Sequence, residues 1–146
     1  PEITLSSMVM LLSEELPAFD SEQILDSLLQ EASDCIAIKD RWGRYQWINE
    51  AGAVFLGYPI DEVIGKTDYE FFVPETANHI TRTDQEVMRG GKTRTYEAFL
   101  KPIQGQNCYF QAMKCPMKNS QREVVGIINV VRKLEGKPVE ISPTRD

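Results

Sequence analysis

The stretch from Asp40 to Gly65 constrains this chain more than any other. Asp40-Arg41-Trp42-Gly43-Arg44 is a charged turn with a glycine, set between two short apolar runs. Before it, Ile36 and Ile38 alternate with Ala37 and Lys39, so Cys35 to Lys39 predicts a strand with one buried face. After it, Tyr45 to Ile48 is aromatic and β-branched and predicts the antiparallel partner. Asn49 then suits the cap of a helix, because its side-chain oxygen can take an orphan N–H of the first turn. Val54, Phe55 and Leu56 supply the apolar side of that helix, and Gly57 can end it in a left-handed conformation.

Composition narrows the class. A chain of 146 residues predicts one domain that hides roughly 70% of the surface its unfolded form exposes. With 42% hydrophobic residues, disorder is excluded for the bulk. A net charge of −6 argues against a nucleic-acid partner, since phosphates call for an excess of Lys and Arg. No run of about 20 apolar residues is present to span a membrane, and no signal peptide is visible. The odd count of cysteines, Cys35, Cys108 and Cys115, predicts free thiols in a reducing compartment rather than a disulfide framework. Starting at Pro1, the chain reads as a piece of a longer protein.

Taken in order, residues 1–19 hold a short helix over Ser6–Glu15 that Pro17 stops, followed by a linker. Residues 20–34 form a flanking helix, opened by Asp20 as cap, Gln23 reaching back, and Phe19 packing on Ile24. Ile24, Leu25, Leu28 and Ala32 share one side of it and are the candidate dimer contacts; the alternative is that this side covers the domain's own sheet. The core spans 35–134. Asp68 to Phe72 predicts a single turn capped by Asp68 or Thr67. Pro74 opens a long helix to about Arg89 that Gly90-Gly91 closes, with Ala77, Ile80, Asp84 and Val87 on one face. Thr95–Lys101, Asn107–Met117 and Glu123–Arg132 predict three more strands, the last of them central because it is apolar on both faces. Residues 135–146 read as a frayed tail. Two strands, a helical stretch and three strands predict an α+β fold: a five-stranded antiparallel sheet with its helices on one face.

The order and spacing of several pieces resemble the PAS sensory domains of bacterial-type signalling proteins. These pieces are Lys39-Asp40 with Gly43, Asn49, Leu56-Gly57-Tyr58, the run Glu62 to Asp68, and Lys114-Cys115-Pro116 followed by Gly126. The resemblance spans roughly Ile24 to Leu134. It implies a cytoplasmic sensory and regulatory module, not a catalyst, within a larger chain such as a two-component histidine kinase or a cyclic-dinucleotide enzyme. It also implies a small-molecule or protein partner, a homodimer formed through the N-terminal helices, and an output domain in the same chain. The ligand pocket it implies lies between sheet and helices, with Ile38, Trp47, Phe55, Phe72, Ile80, Phe99, Phe110, Met113, Ile127 and Asn129 as candidates. A ligand-free module used only to dimerise is the alternative. Lys133-Leu134-Glu135 departs from the Asp-Ile-Thr with which many relatives end.

Asn129 stands out among these residues. It shares a face with Val125, Ile127 and Val131, so burial leaves it needing a partner at a cost of about 1–3 kcal/mol if unmet. That partner is a ligand, or else backbone or water. No cofactor is identified from the residues. Haem would have to bind through His79, the only histidine, yet that side chain is turned roughly 120° from the Ala77-Ile80-Asp84-Val87 face. Flavin photochemistry needs a cysteine where this chain reads Gly65-Lys66-Thr67-Asp68-Tyr69, so the likeness of the Cys108 segment to the light-sensor motif is coincidental. The spacings show no catalytic triad, phosphate loop or metal set. Glu97 and Lys114, on neighbouring predicted strands, read as a cross-strand ion pair, and Asp68 as a local cap.

Overall fold

The computed structural model describes residues 32–134. The predicted N-terminal helices, with the candidate dimer contacts Ile24, Leu25 and Leu28, and the tail from 135 lie outside them; Ala32 is a half-buried, non-helical residue at their start. By its contacts the chain divides into Pro1–Ser33 and Asp34–Asp146, and the second unit is the one described below.

Its elements follow in order. Strands β1 (Cys35–Asp40) and β2 (Tyr45–Ile48) precede helices α1 (Glu50–Leu56) and α2 (Ile60–Val63). A 3₁₀ turn at Asp68–Glu70 leads to helix α3 (Pro74–Gly90), and strands β3 (Arg94–Leu100), β4 (Cys108–Lys118) and β5 (Val124–Lys133) complete the fold. One sheet results, in the order β2-β1-β5-β4-β3, every neighbour antiparallel. The last strand is therefore central, as its two apolar faces require.

Asp40 builds the β1–β2 turn. Its carboxylate accepts from the backbone N–H of Trp42 (3.0 Å) and Arg44 (2.9 Å) and from Arg44 Nε (2.8 Å). Gly43 sits at φ +84°, where a Cβ would be strained. Asn49 closes the hairpin onto α1: its Oδ1 accepts from Ile36 N (3.0 Å) and Gly52 N (2.9 Å), and its Nδ2 donates to the Asp34 carbonyl (3.0 Å). The asparagine is fully buried and holds a strand, a helix start and the chain entry together. At Gly126 of β5 an added Cβ would collide with the carbonyl oxygen of Lys39, so only glycine lets β5 lie this close to β1.

The phase of β1 is the reverse of the one that placed Ile38 in the pocket. Cross-strand partners share a face, and Ala37 pairs with Ile48 and with Asn129, while Ile38 pairs with Trp47 and with Ile128. Ala37, Lys39, Tyr45 and Ile48 look toward the helices; Ile38 and Trp47 look away. A bulge between Ile38 and Lys39 skips Gln46 and brings Tyr45 opposite Lys39, re-aiming one side chain as bulges do. Beside β2, Tyr45 exchanges backbone bonds with Gly65 and Lys66. That lays Thr67 and Asp68 along the sheet's edge, with Asp68 turned inward.

Candidate functional site

The inner face of the sheet carries two unlike halves under α1 and α3. One half is aromatic. Phe55 of α1 packs on Phe110 (ring centroids 4.6 Å) and Phe72 (5.9 Å), and Phe71 meets Tyr58 (5.1 Å) and the edge of Tyr45 (5.8 Å). The other half is charged. Lys39 Nζ lies 2.6 Å from Asp68 Oδ2 and 2.6 Å from Asp84 Oδ2. Lys114 Nζ lies 2.6 Å from Asp84 Oδ1. Tyr45 donates its hydroxyl to Asp68 Oδ1 at 2.5 Å, and Asn129 Nδ2 donates to Asp84 Oδ1 at 3.4 Å. None of these six residues is more than 5% exposed.

The sequence explains how they meet. Asp84 sits on the apolar stripe of α3 with Ala77, Ile80 and Val87, all buried. A carboxylate there must find cations or lose its charge. The sheet supplies them from two strands, Lys39 of β1 and Lys114 of β4, on either side of β5 and Asn129. Two lysines and two aspartates balance to zero formal charge, the condition under which buried ions persist.

Protonation follows from the partners. Burial alone would lower the pKa of Lys39, but attraction to Asp68 and Asp84 outweighs it and the net shift is upward. Lys114 is equally buried and holds one carboxylate instead of two, so burial prevails and its pKa moves down. For Asp84, burial works upward but Lys39 and Lys114 together carry its pKa below the ordinary value. Tyr45 is pushed well up by burial and by Asp68, so it remains a donor. Cys35, which donates to the Ala51 carbonyl at 3.6 Å, is pushed up to about 11 by burial and then by Asp34.

Between the halves lies a cavity of about 50 Å³. Phe55, Phe72, Ile80, Leu100, Ala112 and Val131 line its apolar side; Lys39, Tyr45, Asp68, Lys114 and Asn129 line the other. A second groove of about 80 Å³ opens on the far side of the ion cluster, between the hairpin tip at Arg41–Gly43 and Thr81, Gln85 and Met88 of α3. Asp68 lines both.

Four of the candidate pocket residues, Phe55, Phe72, Ile80 and Asn129, line the cavity. Phe110 and Ile127 are buried on the same sheet face without lining it. Ile38, Trp47, Phe99 and Met113 are corrected to the opposite face by strand alternation. Phe99 lies between inward Ala98 and Leu100 and packs on Tyr109 (5.1 Å); Met113 lies between inward Ala112 and Lys114 and is 39% exposed. Lys114 does not pair with Glu97, which stands opposite Gln111, and Asp68 caps nothing with its side chain. His79 lies 3.2 Å from Arg82 through Nδ1 and does not line the cavity, so haem does not fit these residues. Lys39, Asp68 and Lys114 are not among the candidate pocket residues from sequence, which reads Asp68 as a cap and Lys114 as a partner of Glu97. The signal for them was Asp84 itself, an acid on an apolar stripe that demands buried cations.

A family model described as the PAS fold matches residues 29–136. The chain belongs to the PAS family. Its fold is that of solved PAS domains: one from Colwellia psychrerythraea (TM-score 0.71, 19% identity, 81% of this chain and all of that one) and one from Bordetella pertussis BvgS (TM-score 0.64, 20% identity, 82% and 90%). The Vibrio cholerae VqmA dimer matches with TM-score 0.70 and 22% identity over 81% of this chain and 54% of that one. In sequence the chain is 30% identical over 114 residues to the methanogenesis regulatory histidine kinase FilI of Methanothrix harundinacea, covering 78% of this chain and 13% of the kinase. It is thus a PAS sensory module similar to a short segment of that relative. No helix among the described residues is long and apolar enough to cross a membrane.

Proposed function

We propose that this PAS module binds a small molecule in the cavity between α1, α3 and the sheet, and passes the binding event to an output domain of a larger cytoplasmic signalling chain such as a histidine kinase. The observation that carries the reading is the mixed lining of the cavity. An apolar wall faces a cluster of buried charges contributed by β1, β4, the 3₁₀ turn and α3. A molecule touching Lys114 or Asn129 perturbs an ion network that ties those elements together, so binding is felt across the sheet. The module itself performs no chemistry: it acts by differential binding, and dimerisation through the segment before β1 gives the signal a second subunit to act on. Relatives of the same fold lend support, VqmA having been solved with DPO bound and as a dimer.

Native mass spectrometry of the protein as purified, followed by denaturation, tests this reading. A small molecule released from the folded form is the expected result. A clean unliganded mass on a dimer, unchanged after incubation with a metabolite extract, would overturn it in favour of a module used only for association.

A further inference from the structure

One buried atom at the cavity has no hydrogen-bond partner among the described residues. Asn129 Oδ1 is buried and accepts no hydrogen bond among the described residues, although its Nδ2 is held on Asp84 Oδ1. That contact fixes the amide's orientation, because a flipped amide would set oxygen against carboxylate. A buried acceptor left unmet is costly, so the site is built to receive a donor. Beside it, the Lys114 ammonium reaches the same Asp84 oxygen with one of its three N–H groups. Lys114 and Asn129 are cross-strand neighbours and both line the cavity. An acceptor and a donor therefore stand side by side over an apolar floor of Phe55, Phe72 and Leu100.

Resting on the small-molecule reading above, we infer that the cavity is a site for a small neutral molecule with an amide-like edge: an N–H that donates to Asn129 Oδ1 beside a carbonyl that accepts from Lys114. Charge and size limit the class further. The lysines and aspartates of the cluster already balance, so a carboxylate or an ammonium would bring an uncompensated ion into a dry site. A cavity of about 50 Å³ holds roughly three to five heavy atoms, at about 10–15 Å³ for each water-sized sphere.

Acetamide, acetone and acetate have the same heavy-atom count and differ only in the groups at issue. Titrated into the ¹⁵N-labelled wild-type protein by NMR, acetamide should bind at least about tenfold more tightly than acetone, which lacks the N–H, and more tightly than acetate. It should also move the Asn129 side-chain amide resonance. In Asn129→Leu the preference for acetamide over acetone should vanish; the wild-type series decides the matter even if that variant does not fold. Acetone binding as tightly as acetamide would overturn the amide class and leave a ligand cavity standing. Acetate binding tightest would overturn the neutrality argument. Binding of none of the three would overturn the cavity as a site and with it the reading it rests on.

Discussion

The two halves of the inner sheet face lie side by side, and they are held by opposite physics. In the aromatic half, around Phe55, Phe71, Phe72 and Leu56, each side chain adds its own burial and contact energy, nearly independently of pH and salt. In the charged half no member is stable alone. Lys39, Asp68, Asp84 and Lys114 each carry a desolvation cost of several kcal/mol that only the others offset. One half fails gradually when trimmed and the other fails as a unit. A sensor gains from having both: a soft apolar wall that accommodates a ligand, and a stiff ionic wall that registers it.

The largest break should come from Asp84→Ala, which strands the Lys114 ammonium in the interior and leaves Lys39 with Asp68 alone. A loss of about 3–5 kcal/mol is expected by urea denaturation; a loss near zero would mean that water already screens the cluster. Within the cluster, Lys39→Met should cost more than Lys114→Met, because Lys39 alone serves Asp68 while Asp84 has both lysines. In the aromatic half, Leu56→Ala, at a side chain 2% exposed, should cost about 3 kcal/mol. That cost should be the same at low and high pH, and pH dependence there would erase the contrast between the halves.

Acid sharpens the comparison next. Asp84 has its pKa lowered by Lys39 and Lys114 against its burial, so its contribution is present above the ordinary value of 3.8. As pH falls below that value the unfolded chain takes up a proton before the folded one does, and stability declines. The advantage of wild type over Asp84→Asn should therefore shrink below pH 3.8 in thermal melts, while the advantage over Leu56→Ala holds. On the alkaline side Lys39 and Tyr45, both raised, lose their stabilising contribution as pH climbs, and Lys114, lowered, works the other way, so the acid limb is the cleaner test. The smallest effect should come from the solvent side of α3. Arg82 and Glu86 are 3.5 Å apart and largely exposed, and Arg82→Ala should change stability by less than about 0.5 kcal/mol. A larger loss would show that ion pairs on this helix matter irrespective of burial.

Much of the fold was legible in the chain because the signals were local. The Asp40–Gly43 turn, the Asn49 cap, Pro74 and Gly91 mark ends that depend on a residue and its near neighbours. The stripe of α3 was legible for the same reason, and so was the isolation of Asn129 among apolar neighbours. The site was harder. Alternation in β1 gives two faces but does not say which one the helices cover, and the isoleucine face looked the more buried of the two. Ile36 is in fact buried while Lys39, on the other face, is more so. A lysine in a strand reads as solvent-facing until something removes its charge from water's reach, and what does so here is Asp68, 29 residues on, and Asp84, 45 residues on.

By itself, then, the sequence marked the five strands, the helix after Asn49, the helix after Pro74 and the central place of the last strand, since turns, caps and periodicity act over a few residues of chain. The tertiary structure alone decided which face of β1 is inside, that a bulge sets Tyr45 against Lys39, and that four charges from distant segments close on one another beside a cavity. Burial of an ion is a property of everything packed around it, and no local pattern carries that information.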